Sequence, residues 1–177
     1  MARWLIGVVL LSGLGMTGIA CANSTLLALM SDNQGQTPQM LLAQVEKDYP
    51  GIVAEIQADE DKGALIYEVD VVDIHHKTLI ALEFAAKDGE LLKRKEKSLH
   101  DGDDALKAAR LLDEMGLSFS LLIKQAMGNR QSHILEAQLD HDLGISYLEL
   151  KLIDQSGRSK IAFDIKNQRP LPLLKWD

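Results

Sequence analysis

The chain has 177 residues, of which 46% are hydrophobic and 25% are charged, and its formal net charge is −7. An acidic chain without a stripe of Lys and Arg is a poor match for a phosphate backbone, so we expect no nucleic-acid partner. The single cysteine, Cys21, excludes an intramolecular disulfide and a cysteine-based zinc site.

Residues 1–22 have the pattern of a secretory signal peptide: a basic residue, an apolar run and the small-x-small site Ala20-Cys21-Ala22. Cleavage after Ala22 predicts a periplasmic or secreted protein without a retained transmembrane helix. An alternative interpretation uses Cys21 as a lipidation site and anchors the chain as a lipoprotein, because "GIAC" resembles a bacterial lipobox. Gly18 stands where a lipobox usually has Leu, Val or Ile, so cleavage is the favoured prediction.

After a short N-terminal segment, residues 23–36, a first patterned unit is expected over residues 37–95. Thr37 is a good N-cap, and apolar residues follow it at helical spacing until Pro50-Gly51 ends the helix. Four strands are predicted next, because apolar and polar residues alternate in short runs that turn residues separate. The first hairpin loop is predicted to span Asp59–Gly63, and the last strand is predicted to end at Lys93.

Residues 96–117 are predicted to be a charged linker with one helix, and residues 118–177 a second unit whose helix Ser118 caps. Shifting the sequence by 81 positions aligns the two units without gaps over most of their length. Residues that recur at this offset include Glu55 and Glu136, Gln57 and Gln138, Asp59 and Asp140, Asp61 and Asp142, and Glu68 and Glu149.

A sheet with one apolar face must be covered, and the helix of each unit is the available cover. The predicted fold class is therefore α+β, with two tandem units that each have a helix packed on a four-stranded antiparallel sheet. Pro170 and Pro172 make the last segment of the second unit an edge strand or no strand, because proline cannot donate to a ladder.

The first unit resembles the PepSY family in three motifs: Tyr49-Pro50-Gly51 after the helix, Tyr67-Glu68-Val69 in a strand, and the hairpin from Phe84 to Leu92. The second unit keeps only Phe163-Asp164-Ile165-Lys166-Asn167, so its assignment depends mainly on the repeat. The resemblance implies a secreted or envelope-attached module that regulates peptidases or takes part in envelope sensing. It supplies no catalytic residues and no cofactor.

The sequence has no metalloprotease helix, nucleophile elbow or phosphate loop, so we predict that the protein is not an enzyme. The pairs Asp59 and Asp61, and Asp140 and Asp142, have the spacing with which calcium loops begin. Hairpin loops favour Asp and Gly for backbone reasons alone, and these four residues remain weak candidates beside a prediction of no metal site. His75-His76 is interpreted as part of a plain turn.

The predicted function is a non-enzymatic protein that binds and regulates a peptidase or an envelope sensor protein. The alternative is an envelope sensor of a small ligand or a divalent cation, which would use the acidic hairpin loops.

Overall fold

The computed structural model describes residues 18–172, which form four helices and eight strands. Residues 1–17 of the predicted signal peptide and residues 173–177 of the predicted second unit lie outside the described residues. The helices are α1 (Gly18–Asp32), α2 (Pro38–Asp48), α3 (Asp104–Glu114) and α4 (Phe119–Met127). The strands are β1 (Ile52–Asp61), β2 (Ala64–Asp73), β3 (Thr78–Ala85), β4 (Leu91–Ser98), β5 (His133–Asp142), β6 (Ile145–Asp154), β7 (Gly157–Asp164) and β8 (Arg169–Leu171).

Two of the predicted helix starts are confirmed by their capping bonds. The Thr37 hydroxyl accepts the backbone N–H of Met40 at 3.2 Å, and the Ser118 hydroxyl accepts that of Leu121 at 3.2 Å. Each bond satisfies a donor that would otherwise have no partner in the first helical turn. Asp103 precedes α3, the helix of the predicted linker, but its carboxylate accepts the backbone N–H of His100 at 2.8 Å instead of capping the helix.

The predicted fold class, two tandem units each with its own four-stranded sheet, is wrong. All eight strands form one antiparallel sheet in the order β4-β3-β2-β1-β5-β6-β7-β8. The two runs of strands meet where β1 pairs with β5, with Ile56 opposite Ala137. We call this pairing the seam.

The physical reason for the seam is the edge of each strand run. β1 and β5 both start a run of hairpins, so each would otherwise leave a row of backbone donors and acceptors unpaired. Pairing the two strands satisfies both edges at once. Helix α3 then packs across the seam, against β1 and β5 together, and buries Leu106 and Leu112 there.

The hairpin turns are tighter than predicted. β1 continues to Asp61, and only Lys62 and Gly63 form the turn, with φ values of 52° and 83°. Leu143 and Gly144 form the corresponding turn between β5 and β6, with φ values of 50° and 79°. Positive φ at both residues matches the right-handed twist of paired strands, so a two-residue turn replaces the predicted five-residue loop.

The two edges of the sheet are different. β4 extends to Ser98, where the sequence predicted a strand ending at Lys93 and then a linker. Its pairing with β3 continues from Leu91 to Ser98. At the other edge β8 has three residues and includes Pro170, which confirms the prediction of an edge position for this segment.

The described helices pack their buried residues into one continuous core with one face of the sheet. Along β1, buried Ile56 and Ala58 alternate with the partly exposed Glu55 and Gln57. The same alternation continues in the neighbouring strands, so polar side chains occupy the face of the sheet opposite the core. We call the face of the sheet opposite the core the open face.

Candidate functional site

The middle of the open face is a cluster of polar side chains from four adjacent strands, which we call the central cluster. Directly opposed side chains on one face of an antiparallel pair lie about 4.5–5.5 Å apart at Cβ, so these residues influence each other's charge. The members are Glu55 and Gln57 from β1, Glu68 and Asp70 from β2, Glu136 and Gln138 from β5, and Glu149 and Lys151 from β6.

Both strands of the seam carry one Glu and one Gln, and each Glu lies opposite the Gln of the other strand. Glu55 lies opposite Gln138, and Gln57 lies opposite Glu136, on either side of the Ile56 and Ala137 pair. The Gln138 amide donates a hydrogen bond of 3.4 Å to the Glu55 carboxylate. The central cluster is thus one surface that both halves of the chain build, and neither half contains it alone.

The β5–β6 side of the central cluster is neutralised by lysines. The Lys151 ammonium lies 2.7 Å from one Glu136 carboxylate oxygen and 2.8 Å from the other. The Lys160 ammonium, on β7, lies 2.6 Å from the Glu149 carboxylate. Each carboxylate on this side therefore has a cation at hydrogen-bond distance.

The β1–β2 side is not neutralised in the same way. Asp70 lies opposite Glu55, in the position that Lys151 occupies opposite Glu136. Glu68 lies opposite Gln57 on one strand and opposite Glu83 on the other. Like charges directly opposed on a sheet are unfavourable, so this side concentrates negative charge.

The pKa values report this difference. Burial, followed by the nearby charges of Asp70 and Glu136, raises the pKa of Glu55 from 4.5 to about 7. Burial and the charge of Glu68 raise the pKa of Asp70 from 3.8 to about 6, against an opposing contribution from Lys97. Two adjacent carboxyl groups at the centre of the open face therefore gain protons near neutral pH.

The four aspartates proposed as weak metal candidates are not brought together. β1 and β5 are antiparallel, so Asp59 and Asp61 lie at one end of the sheet and Asp140 and Asp142 at the other. The Asp140 carboxylate accepts the Tyr147 hydroxyl at 2.9 Å, and that of Asp142 accepts the backbone N–H of Leu143 at 2.9 Å. Within residues 18–172, no three His, Cys, Asp or Glu side chains are grouped to hold a metal ion.

The predicted cleavage and lipidation residues Ala20, Cys21 and Ala22 lie at the start of α1 by their backbone. Whether the chain is cleaved after Ala22 or lipidated at Cys21 stays a prediction. None of the helices in the described part of the chain has the length and apolar character required to cross a membrane.

Three of the histidines have side-chain partners. In the turn after β2, His76 Nδ1 lies 2.7 Å from the Asp73 carboxylate, which raises the pKa of His76. The backbone N–H of His76, and then its ring, bond to Asp73 and lower the pKa of that carboxyl. His141 Nδ1 lies 2.8 Å from the Ser146 hydroxyl, beside a cleft of about 340 Å³ next to α3. His133 Nε2 lies 3.4 Å from the Ser31 hydroxyl of α1. Among the described residues, Ser146 is the hydrogen-bond partner of the His141 ring.

No family model matches the chain, and no curated protein matches it. A solved structure that is similar to it is that of a candidate lipoprotein from Clostridium difficile 630, with a TM-score of 0.44 and 14% sequence identity. The similarity covers 81% of this chain and 95% of that chain. Membership of the PepSY family stays a prediction.

Proposed function

We propose that this chain is a non-enzymatic envelope protein that acts by binding another protein through the central cluster of its open face. The observation that carries the proposal is the pair Glu55 and Asp70, which forms no ion pair with any described residue and lies at the middle of a polar face that no described helix covers. Carboxylates left without a cation at the centre of a surface favour a partner that supplies one.

The chemistry of the surface defines the partner. A protein that presents Lys or Arg side chains to Glu55, Glu68 and Asp70 would relieve the repulsion among them. Lys151, on one side of the cluster, and Lys93, beyond its other side, would direct the basic region of the partner towards the middle. The resemblance to PepSY modules makes a peptidase or an envelope sensor protein the class that we propose. We also propose that the two runs of strands derive from one repeated sequence unit. The identical residues Glu55 and Glu136, which lie 81 positions apart, support this repeat.

The test is a crosslinking pull-down from envelope extract with three forms of the chain from Asn23 onwards. The first is the natural sequence, the second carries Asp70→Lys on the open face, and the third carries Asp48→Lys. Asp48 is exposed at the end of α2, in the helix layer, so the third form makes the same charge change away from the open face.

We expect the natural sequence and Asp48→Lys to capture a peptidase or sensor protein that Asp70→Lys loses. Equal capture by all three forms would place the contact outside the central cluster. If correctly folded bait captured neither class of protein, the proposal of peptidase or sensor binding would be abandoned.

The described residues form no cation site for the cation-sensor alternative, because its four aspartates lie in two separate pairs. Calorimetry with calcium and zinc tests it directly. Heat of binding that Asp59→Asn or Asp140→Asn abolishes would revive it.

A further inference from the structure

The second surface of interest is β4, the long edge strand of the sheet. Its eight residues, Leu91–Ser98, are all exposed, and within residues 18–172 the strand pairs with β3 alone. One side of its backbone therefore presents a row of N–H and C=O groups that no described strand uses. Such an edge is the template for adding another extended segment.

The charge of this edge is opposite to that of the whole chain. β4 carries Lys93, Arg94, Lys95 and Lys97 against a single acid, Glu96, whereas the protein as a whole has a net charge of −7. Lys93 bonds to Glu83 at 3.2 Å and Arg94 to Glu96 at 2.6 Å. Lys95 and Lys97 form no ion pair with any described residue, although Lys97 helps to stabilise the charged form of Asp70.

A second copy of this chain is a poor occupant of the edge. Pairing β4 with another β4 would oppose Lys and Arg side chains to each other, and like charges opposed across strands are destabilising. The opposite edge, β8, brings Arg169 and Pro170, which add a further cation and remove a backbone donor. Both edges thus disfavour extension of the sheet by the same protein.

The chemistry instead fits an acidic segment. Lysines on an edge strand also discourage pairing with neutral or basic strands, so they select among partners as well as attract one. Leu91 and Leu92, exposed at 40% and 49%, add apolar contact at the start of the strand. An extended segment with alternating acidic residues would oppose Lys95 and Lys97 while it bonds to the backbone.

We propose that β4 binds an extended acidic segment of a partner protein by strand addition, with Lys95 and Lys97 as the residues that select it. The edge of β4 is not part of the central cluster, although Lys97 interacts with the charge of Asp70. The strand-addition proposal does not require the open-face contact, so either can fail while the other succeeds.

The test uses fluorescence anisotropy with a fluorescein-labelled ten-residue peptide in which Glu alternates with Thr. We expect the double variant Lys95→Glu and Lys97→Glu to weaken binding at least tenfold. A control with the same change in net charge, Lys47→Glu and Lys124→Glu, alters exposed residues of α2 and α4 and should shift binding less than twofold. The Asp70→Lys variant should still bind the peptide, which separates this result from the open-face test.

Two further probes distinguish strand addition from simple charge attraction. Alternate residues of an added strand direct their N–H groups towards the edge. N-methylation of one alternate set in the peptide should therefore abolish binding, while N-methylation of the other set should be tolerated. Absence of binding by the unmodified peptide, equal loss in both double variants, or equal binding of both N-methylated peptides would each overturn the proposal.

Discussion

Replacing Leu112 by alanine is expected to lower the free energy of unfolding by about 2–5 kcal/mol, the range for truncating a buried leucine. Leu112 lies in α3 and is completely buried, and α3 packs on both β1 and β5 across the seam. Because one core spans both halves of the chain, the loss should shift a single cooperative transition. Urea unfolding followed by far-UV circular dichroism and by near-UV absorbance measures it.

The matched control is Leu121→Ala on α4. Leu121 is 42% exposed, so its removal leaves no cavity, and a change of less than about 0.5 kcal/mol is expected. Two separate transitions, of which Leu112→Ala shifts only one, would contradict a single core. That outcome would restore independent units, in which the central cluster could not be a rigid surface.

Local features of this fold could be predicted from the sequence because local physics decides them. Thr37 and Ser118 cap their helices since a hydroxyl at that position satisfies a backbone donor whatever the rest of the chain does. The alternation of apolar and polar residues along β2 identifies its buried face, because this pattern also depends only on neighbouring residues. Pro170 fixes an edge because it lacks an N–H group.

The seam could not be predicted in this way. Nothing in the local pattern of β1 or β5 states which strand lies on its free side, because pairing partners are chosen by long-range packing. The sequence predicted α3 only as a helix within a linker. In the structure α3 covers the seam, where Ile56 pairs with Ala137. The length of β4 was missed because its run of charged residues resembles a linker when only hydrophobicity is considered.

The candidate site also combines local features that the sequence predicts with long-range contacts that it does not predict. Glu68, Asp70 and Glu83 lie on the open face, as the alternation of apolar and polar residues along the strands predicts. Their convergence with Glu136 depends on the seam and was not predictable. One signal was available: at the offset of 81 positions, Asp70 stands against Lys151, a reversal of charge between otherwise similar strands.

The second large effect expected is a dependence of stability on pH that originates at Glu55. The unfolded chain ionises this carboxyl near 4.5, whereas in the folded protein its pKa is about 7. Between these values the folded state binds more protons than the unfolded state, so stability falls as the pH rises through this window. Above about pH 7 the full penalty is present, and below about pH 4.5 it is absent.

Glu55→Gln removes this titration with little change in shape. We expect it to raise the free energy of unfolding by about 1–2 kcal/mol at pH 8 and to leave it unchanged at pH 4.5. The figure is smaller than the full pKa shift would give, because solvent reaches part of this side chain and screens its charge. Urea unfolding at both pH values measures the difference.

Asp70→Lys tests the cause of the effect. It places a lysine opposite Glu55, as Lys151 lies opposite Glu136, so it should stabilise the protein at pH 8 by about 1–3 kcal/mol. The reciprocal variant, Lys151→Asp, removes the cation from Glu136 and should destabilise the protein by a comparable amount. If Asp70→Lys were destabilising at pH 8 while Glu55→Gln was neutral, the repulsion at the central cluster would be too weak to attract a basic partner. The binding proposal would then lose its electrostatic basis.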